Sequence, residues 1–340
     1  MSKLEINNTV NTFSELGKRL AAPNEALMEV INTERQYNAW FTPESVLEAV
    51  KANGGMLNSS DLTKWLGTYN ITEGKGKKIG LVLAGNIPLV GFHDVLSVLV
   101  SGNHALIKAS SQDARLIKYV LNLLVEIDES YQDQFSFVER LVDFDAIIAT
   151  GSNNTSRYFE YYFGKVPNII RKNRNSIALL TGNETTEELH SLGRDIFDYY
   201  GLGCRNVSKV FVPEGYVFNK FFESIEDFNP IINHHKYNNN YDYNKSIYLV
   251  NRDEHLDNGF LLLKQDERLV SPLAVLFYDT YTDLASVQKQ LEEQSEQLQC
   301  IVTTAPLQTK NQVVTFGNSQ HPQLWDYADG VDTMEFLANL

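Results

Sequence analysis

Apolar residues recur at helical spacing through residues 1–70, which predicts a helical opening segment. Thr42-Pro43-Glu44 has the order of a helix start. It offers a capping hydroxyl, then a proline whose missing N–H costs nothing in the first turn, then an acid facing the positive end of the dipole. Val46, Leu47 and Val50 give that helix one buried face, and Asn53-Gly54-Gly55 is expected to end it. From residue 79 the period changes. Short apolar runs at Ile79–Ala84, His104–Ile107, Asp145–Ala149 and Ile177–Leu180 predict strands. Helices are predicted between them at Phe92–Val100, around Leu116, Ile117, Val120, Leu121 and Leu124, and at Thr155–Phe163. Strand, crossover helix and strand at this spacing predict a parallel sheet covered on both faces. The second half predicts a helix at Thr186–Tyr200, strands at Lys209–Val212, Ser246–Val250 and Leu273–Tyr278, a helix near 281–293 and a last strand at 299–303. The polar and aromatic stretch His234–Tyr241 shows no period and is expected to be a loop, with its paired histidines outside any metal-ligand spacing.

Ligands of parallel sheets bind beyond the carboxyl ends of the strands, so the residues after each strand carry weight. They are Gly85-Asn86-Ile87-Pro88, then Lys108-Ala109-Ser110-Ser111, then Thr150-Gly151-Ser152. Small, polar and cationic groups thus follow three successive strands, a pattern suited to a nucleotide. The Glu73–Lys78 stretch is expected to be a flexible basic turn, and it lacks the residue order of a phosphate-binding P-loop. Two domains are expected. Residues 1–185 would form a nucleotide-binding domain of helices followed by a Rossmann-like sheet. Residues 186–340 would form a catalytic α/β domain whose tail is a candidate to pack back on the first.

Composition narrows the chemistry. A hydrophobic fraction of 43% over 340 residues is that of a folded globular protein. The net charge of −14 argues against a nucleic-acid partner, yet leaves room for an anionic cofactor held by backbone N–H groups and a lysine. No run reaches the length of a membrane span, and the polar MSKLEINNTVNTF segment has no signal-peptide core. The only two cysteines, Cys204 and Cys300, form no metal or disulfide pattern, so no metal is expected and a reduced, cytoplasmic compartment fits best. Cys300 lies in an apolar strand and reads as structural. Cys204, between Gly201-Leu202-Gly203 and Arg205-Asn206, sits where a thiol can ionise and a ligand can approach, although composition alone also allows a buried bystander.

The segment Gly201–Val212 resembles the cysteine motif of aldehyde dehydrogenases, and other stretches resemble that family's motifs in the family's order. Gly85-Asn86-Ile87-Pro88-Leu89 is similar to its Trp-Asn-Phe-Pro-Leu signature. Ser101–Ser111 is similar to its Ala-Gly-Asn-to-Lys-Pro-Ser-Glu stretch, and Thr150-Gly151-Ser152 to its pyrophosphate-contacting Thr-Gly-Ser. Arg268–Pro272 and Thr315–Asn318 are weaker echoes. The resemblance covers roughly residues 79–318. It implies an α/β fold of aldehyde dehydrogenase type, a parallel-sheet nucleotide-binding domain plus a second α/β catalytic domain. It also implies Cys204 as nucleophile, with the Asn86 amide helping to hold the oxyanion. Lys108, Ser110, Ser111, Gly151 and Ser152 would hold the cofactor.

Two departures refine this. Where the family carries its general-base glutamate, this chain has Arg171-Lys172-Asn173-Arg174-Asn175-Ser176, with no carboxylate to activate water. An acyl-cysteine that is not hydrolysed can be reduced, and a thioester is its natural donor. Cys204-Arg205-Asn206-Val207-Ser208-Lys209 and Asp329-Gly330-Val331-Asp332 are similar to the LuxC-type fatty acyl-CoA reductases, which implies an acyl-CoA or acylated carrier protein as substrate and an aldehyde as product. Ser111 stands where NAD-preferring members carry glutamate, and with Lys108 nearby it favours NADPH, with NADH as the alternative. A homodimer is the expected assembly. Rival readings are a glutamyl-phosphate-type or short-chain acylating dehydrogenase, separable by acyl-length dependence. A scaffold subunit that binds nucleotide without a reactive thiol, and a plain acyltransferase independent of nucleotide, complete the set.

Overall fold

The computed structural model describes residues 3–70 and 76–340. Glu73-Gly74-Lys75 of the expected basic turn lies outside the described residues, and Lys78 already opens a strand. The chain divides into two units, residues 1–173 together with 322–340, and residues 174–321.

The first unit begins with four helices: α1 (Lys3–Ala21), α2 (Glu25–Thr33), α3 (Pro43–Met56) and α4 (Ser59–Gly67). Thr42 caps α3 by accepting the Ser45 N–H at 3.4 Å, with Pro43 in the first turn as its sequence predicts. The expected stop at Asn53-Gly54-Gly55 is wrong, since α3 runs on to Met56. Gly54 serves packing instead of termination. A Cβ there would lie 2.7 Å from the Ala21 nitrogen and 2.8 Å from the Gly17 carbonyl oxygen. A Cβ on Gly17 would in turn meet the Gly54 carbonyl oxygen at 2.9 Å, so two glycines let α1 and α3 touch backbone to backbone.

Alternating elements follow: β1 (Lys78–Val82), α5 (Phe92–Val100), β2 (His104–Lys108), α6 (Ala114–Ile127), β3 (Phe135–Phe137), β4 (Ala146–Thr150), α7 (Asn153–Phe163) and β5 (Asn168–Arg171). The strands form one parallel sheet in the order β3-β2-β1-β4-β5. Helix α5, mostly apolar, is buried along nearly all of its length, with Asp94 and Ser97 among its buried residues. Helix α6 buries one stripe, Leu116, Ile117, Val120, Leu121 and Leu124 among it.

The second unit holds β6 (Asn175–Leu179), α8 (Thr186–Phe197), β7 (Val207–Pro213), α9 (Asn219–Ser224), α10 (His235–Asn251), β8 (Leu256–Asp257), β9 (Leu262–Gln265), β10 (Val275–Tyr281), α11 (Leu284–Glu293), β11 (Leu298–Val302) and β12 (Gln312–Val314). Its sheet runs β12-β11-β6-β7-β10-β9-β8, parallel except for the edge strand β8. The strand at 175–179 therefore pairs with β7 and β11, not with the first sheet. Two expectations fail together here. Neither a loop at 234–241 nor a strand at 246–250 exists, because both lie in α10 or at its start. His234 is the N-cap, accepting the Tyr237 N–H at 3.4 Å. Tyr237, Tyr241, Asn244 and Tyr248 form its buried stripe, with the Tyr237 hydroxyl donating to the Phe260 carbonyl at 3.0 Å and that of Tyr241 to Asp257 at 2.6 Å.

Residues 322–340, ending in α12 (Thr333–Ala338), belong to the first unit. Leu324, Tyr327, Met334 and Leu337 join its core. Trp65 donates to the Tyr327 hydroxyl at 2.6 Å, and the Tyr69 hydroxyl donates to Asp332 at 2.7 Å. A buried ion pair links Arg171 to Asp94 of α5, and the same guanidinium donates to Thr333 at 3.0 Å. Among the described residues no helix is long and apolar enough to cross a membrane.

Gly54→Ala forces a Cβ onto backbone atoms that cannot rotate away. It should cost about 1–3 kcal/mol, seen as a lower thermal midpoint, whereas Gly55→Ala, with open space around its Cβ, should not lower it.

Candidate active site

In the first sheet β1 lies between β2 and β4, and Val82 pairs with Lys108 on one side and Ala149 on the other. The three following loops therefore start at one level of one edge. The chain runs β1-β2-β3 outward in one direction and then crosses to β4 on the other side of β1, so the strand order reverses there. At such a reversal open parallel sheets take ligands beyond the carboxyl ends of the strands, here next to the loop after β1 and the loop after β4. Asn86, Lys108, Ser111 and Ser152 are exposed at this edge, with Ser110 and Gly151 half-buried. The loops after β1, β2 and β4 thus bring Asn86 and the five residues expected to hold a cofactor to one edge of one sheet.

The edge suits an anionic cofactor. Ser152 caps α7, accepting the Thr155 N–H at 3.2 Å, and leaves the first-turn amides of that helix facing the edge. Gly151 has no room for a side chain, since a Cβ would lie 2.9 Å from the Phe159 ring and 3.1 Å from Thr155 Cβ. Gly85 is equally constrained, with Ser110 Oγ 2.5 Å from where its Cβ would be. Glycine here lets the loops after β1 and β2 touch.

Asp113 is a residue the sequence reading passed over. It stands at the N-cap position of α6 but makes no cap hydrogen bond. Its Oδ2 instead accepts the Leu89 N–H of the neighbouring loop at 2.8 Å. Its Oδ1 is buried with no hydrogen-bond partner among the described residues. Burial pushes this carboxyl well above the ordinary aspartate range, against the pull of the Leu89 N–H, and the Glu34 carboxylate adds to the rise. Glu34 is itself buried and raised by desolvation, although Arg115 lies 3.1 Å away. An aspartate one residue before a helix signals a cap, and nothing local signals that its carboxylate turns elsewhere.

In the second unit Cys204 precedes β7, so it lies at the amino edge of its sheet and not beyond a carboxyl end. The rule that singles out residues after strands does not find it. Gly203–Asn206 is a closed turn, with the Asn206 N–H donating to the Gly203 carbonyl at 3.1 Å and the Gly203 N–H to Asn206 Oδ1 at 2.8 Å. Cys204 and Arg205 occupy its corner. The Asn206 amide nitrogen also donates to the carbonyls of Asp195 at 3.1 Å and Asp198 at 2.8 Å, tying the turn to the end of α8. Just before it, Tyr199, Tyr200 and Gly201 all have positive φ, 54°, 60° and 76°. Two tyrosines in the left-handed region are strained, and the packed surroundings impose that strain.

Cys204 is exposed, and its backbone is held by Ser176, whose hydroxyl donates to the Cys204 carbonyl at 3.0 Å. Ser176 Oγ also lies 3.1 Å from Cys300 Sγ. With the serine proton given to the carbonyl, the Cys300 thiol must donate to Ser176. Cys300 is buried, and burial pushes its thiol up while Arg205 pulls it down. Arg205 turns inward, donating to Gln312 at 3.0 Å and towards the Ser319 carbonyl at 3.5 Å. One cysteine is thus open to reagents and the other is a packed, protonated thiol.

The fold and these two edges define an aldehyde dehydrogenase-like protein. Aldehyde dehydrogenase 21 of Physcomitrella patens, in complex with the reaction product succinate, superimposes with a TM-score of 0.69 at 13% identity, covering 100% of this chain and 84% of that one. Betaine aldehyde dehydrogenase of Staphylococcus aureus, in complex with NAD+, gives 0.64 at 10% identity, covering 91% and 74%. AldA indole-3-acetaldehyde dehydrogenase of P. syringae gives 0.62 at 11% identity, covering 90% and 72%. No curated protein sequence matches the chain. Residues 2–224 match the acyl-CoA reductase (LuxC) family, and the chain belongs to that family. It is therefore an oxidoreductase of the acyl-CoA reductase type, acting on acyl substrates to form aldehyde.

Iodoacetamide should alkylate Cys204 in the native protein and reach Cys300 only after unfolding, as peptide mass spectrometry would record. Equal native labelling of both would contradict the burial of Cys300. Asp113 titrates higher in the folded chain than in the unfolded one, so its ionisation subtracts from stability as pH rises above the ordinary aspartate range. Asp113→Asn should accordingly raise the thermal midpoint at neutral pH and lose that advantage as pH falls towards about 4.

Proposed function

We propose that this chain reduces a fatty acyl thioester, carried by CoA or by a protein, to the aldehyde through an acyl-cysteine on Cys204, with NADPH as reductant. The observation that carries this reading is the exposed Cys204 at the corner of a turn fixed by Ser176 and Asn206, in a chain whose 171–176 stretch has no carboxylate to activate water. The Cys204 thiolate attacks the thioester carbonyl carbon, and a new S–C bond forms. The oxyanion is held by the Asn86 side-chain amide and the Cys204 N–H, each donor contributing typically ~3 kcal/mol. Collapse breaks the donor's C–S bond, and the thiolate of CoA or carrier leaves and takes up a proton. With no carboxylate in the 171–176 stretch, water has no activated route to the acyl-cysteine from that segment. A nicotinamide cofactor supplies the hydride that turns the acyl group into an aldehyde, and release of the aldehyde returns Cys204 to its thiolate. Lys108, Ser110, Ser111, Gly151 and Ser152 would hold that cofactor. Ser111 in place of an acid, with Lys108 near, favours a 2′-phosphate and hence NADPH over NADH. A cytoplasmic, reducing compartment suits a catalytic thiol, and a homodimer is the assembly we expect.

The test is absorbance at 340 nm with purified protein, NADPH or NADH, and acyl-CoAs from acetyl to palmitoyl. We expect oxidation that depends on acyl-CoA, favours NADPH and long chains, and vanishes in Cys204→Ala. A small anionic acyl donor used in preference to fatty acyl-CoA would replace the substrate assignment. Turnover surviving in Cys204→Ala would overturn the mechanism.

A further inference from the structure

The loop that carries Asn86 is anchored on both sides of that residue. On one side Gly85 lies against Ser110, with no space for a Cβ between them. On the other side the Leu89 N–H donates to Asp113 at 2.8 Å. Between the two anchors runs the arc Asn86-Ile87-Pro88, and Asn86 is its exposed residue. Leu89 is buried and has φ 57°, a conformation that a leucine adopts only when its surroundings impose it. Its carbonyl then accepts the Phe92 N–H at 3.0 Å, so the arc passes straight into α5.

Asp113 does not behave as a residue kept for stability alone. It forgoes the helix cap its position offers. Only 4% exposed, it leaves Oδ1 unpartnered among the described residues. Nearby Arg115 is engaged by Glu34 at 3.1 Å and Thr33 at 2.7 Å. A carboxylate buried at a cost, with one backbone N–H as its hydrogen-bond partner, calls for an explanation beyond folding.

We infer that Asp113 is a positioning residue for Asn86: by holding the Leu89 N–H it fixes the arc from which the Asn86 amide meets the oxyanion. This rests on the role given above to Asn86. A donor that stabilises a developing charge must be in place before the charge appears, and a small displacement removes most of its benefit. Asp113 supplies that placement from the neighbouring loop, without contacting substrate.

The measurement is the rate of Cys204 acylation in a single turnover without cofactor, read as free CoA released from the acyl-CoA of best chain length. Asn86→Ala should slow it roughly 100-fold or more. Asp113→Ala should slow it roughly 10- to 100-fold, and the double variant should be no slower than Asn86→Ala by more than about threefold. Asp113→Asn, whose amide oxygen still accepts the Leu89 N–H, should stay within about threefold of wild type. If Asp113→Ala does not fold, Asp113→Leu fills the same buried volume without an acceptor and takes its place. Wild-type acylation in Asp113→Ala or Asp113→Leu, or losses that multiply in the double variant, would overturn the inference while leaving Asn86 its role. Wild-type acylation in Asn86→Ala would remove that role, and the inference with it.

Discussion

The pairing of β1 with parallel neighbours on both sides is the constraint from which the first unit's chemistry follows. Parallel strands start their following loops at the same edge, and the register of Val82 with Lys108 and Ala149 brings three such loops to one level. Each loop is then shaped by close approach. Glycine at 85 admits Ser110, glycine at 151 admits the first turn of α7, and Asp113 reaches across to Leu89. None of these contacts could form if the strands slipped by one residue, because every side chain would change face.

The second unit solves a different problem at the opposite end of its strands. Cys204 is accessible, yet its backbone is held in place. Asn206 accomplishes this with one buried side chain that closes the Cys204 turn and grips the end of α8. Ser176 holds the cysteine carbonyl from the adjacent strand. The left-handed run Tyr199-Tyr200-Gly201 is the cost of bringing a helix end, a turn and a strand start into so short a stretch.

Much of this was legible in the chain. The mostly apolar stretch 92–100 marked α5, a helix buried along nearly all of its length, and the stripe on α6 marked its inward side. The residues at the first sheet's edge were legible because loop motifs are local. What failed was local evidence overruled by packing. Asparagine-rich 238–240 hid α10, whose signal was the spacing of Tyr237, Tyr241, Asn244 and Tyr248. Gly54 resembled a stop because its real partner, Gly17, is distant in sequence. The contacts of Asp113 and Ser176 were invisible for the same reason, since each bonds to a residue on another segment.

The return of residues 322–340 to the first unit has a consequence for how the chain is made. The second unit, 174–321, is continuous in sequence and can close its core as soon as it has left the ribosome. The first unit, begun earlier, must wait with Trp65, Tyr69 and the Asp94–Arg171 pair uncovered until Leu324, Tyr327 and Thr333 arrive. Synthesis order and completion order are therefore reversed: the half that starts first is the half whose core closes last.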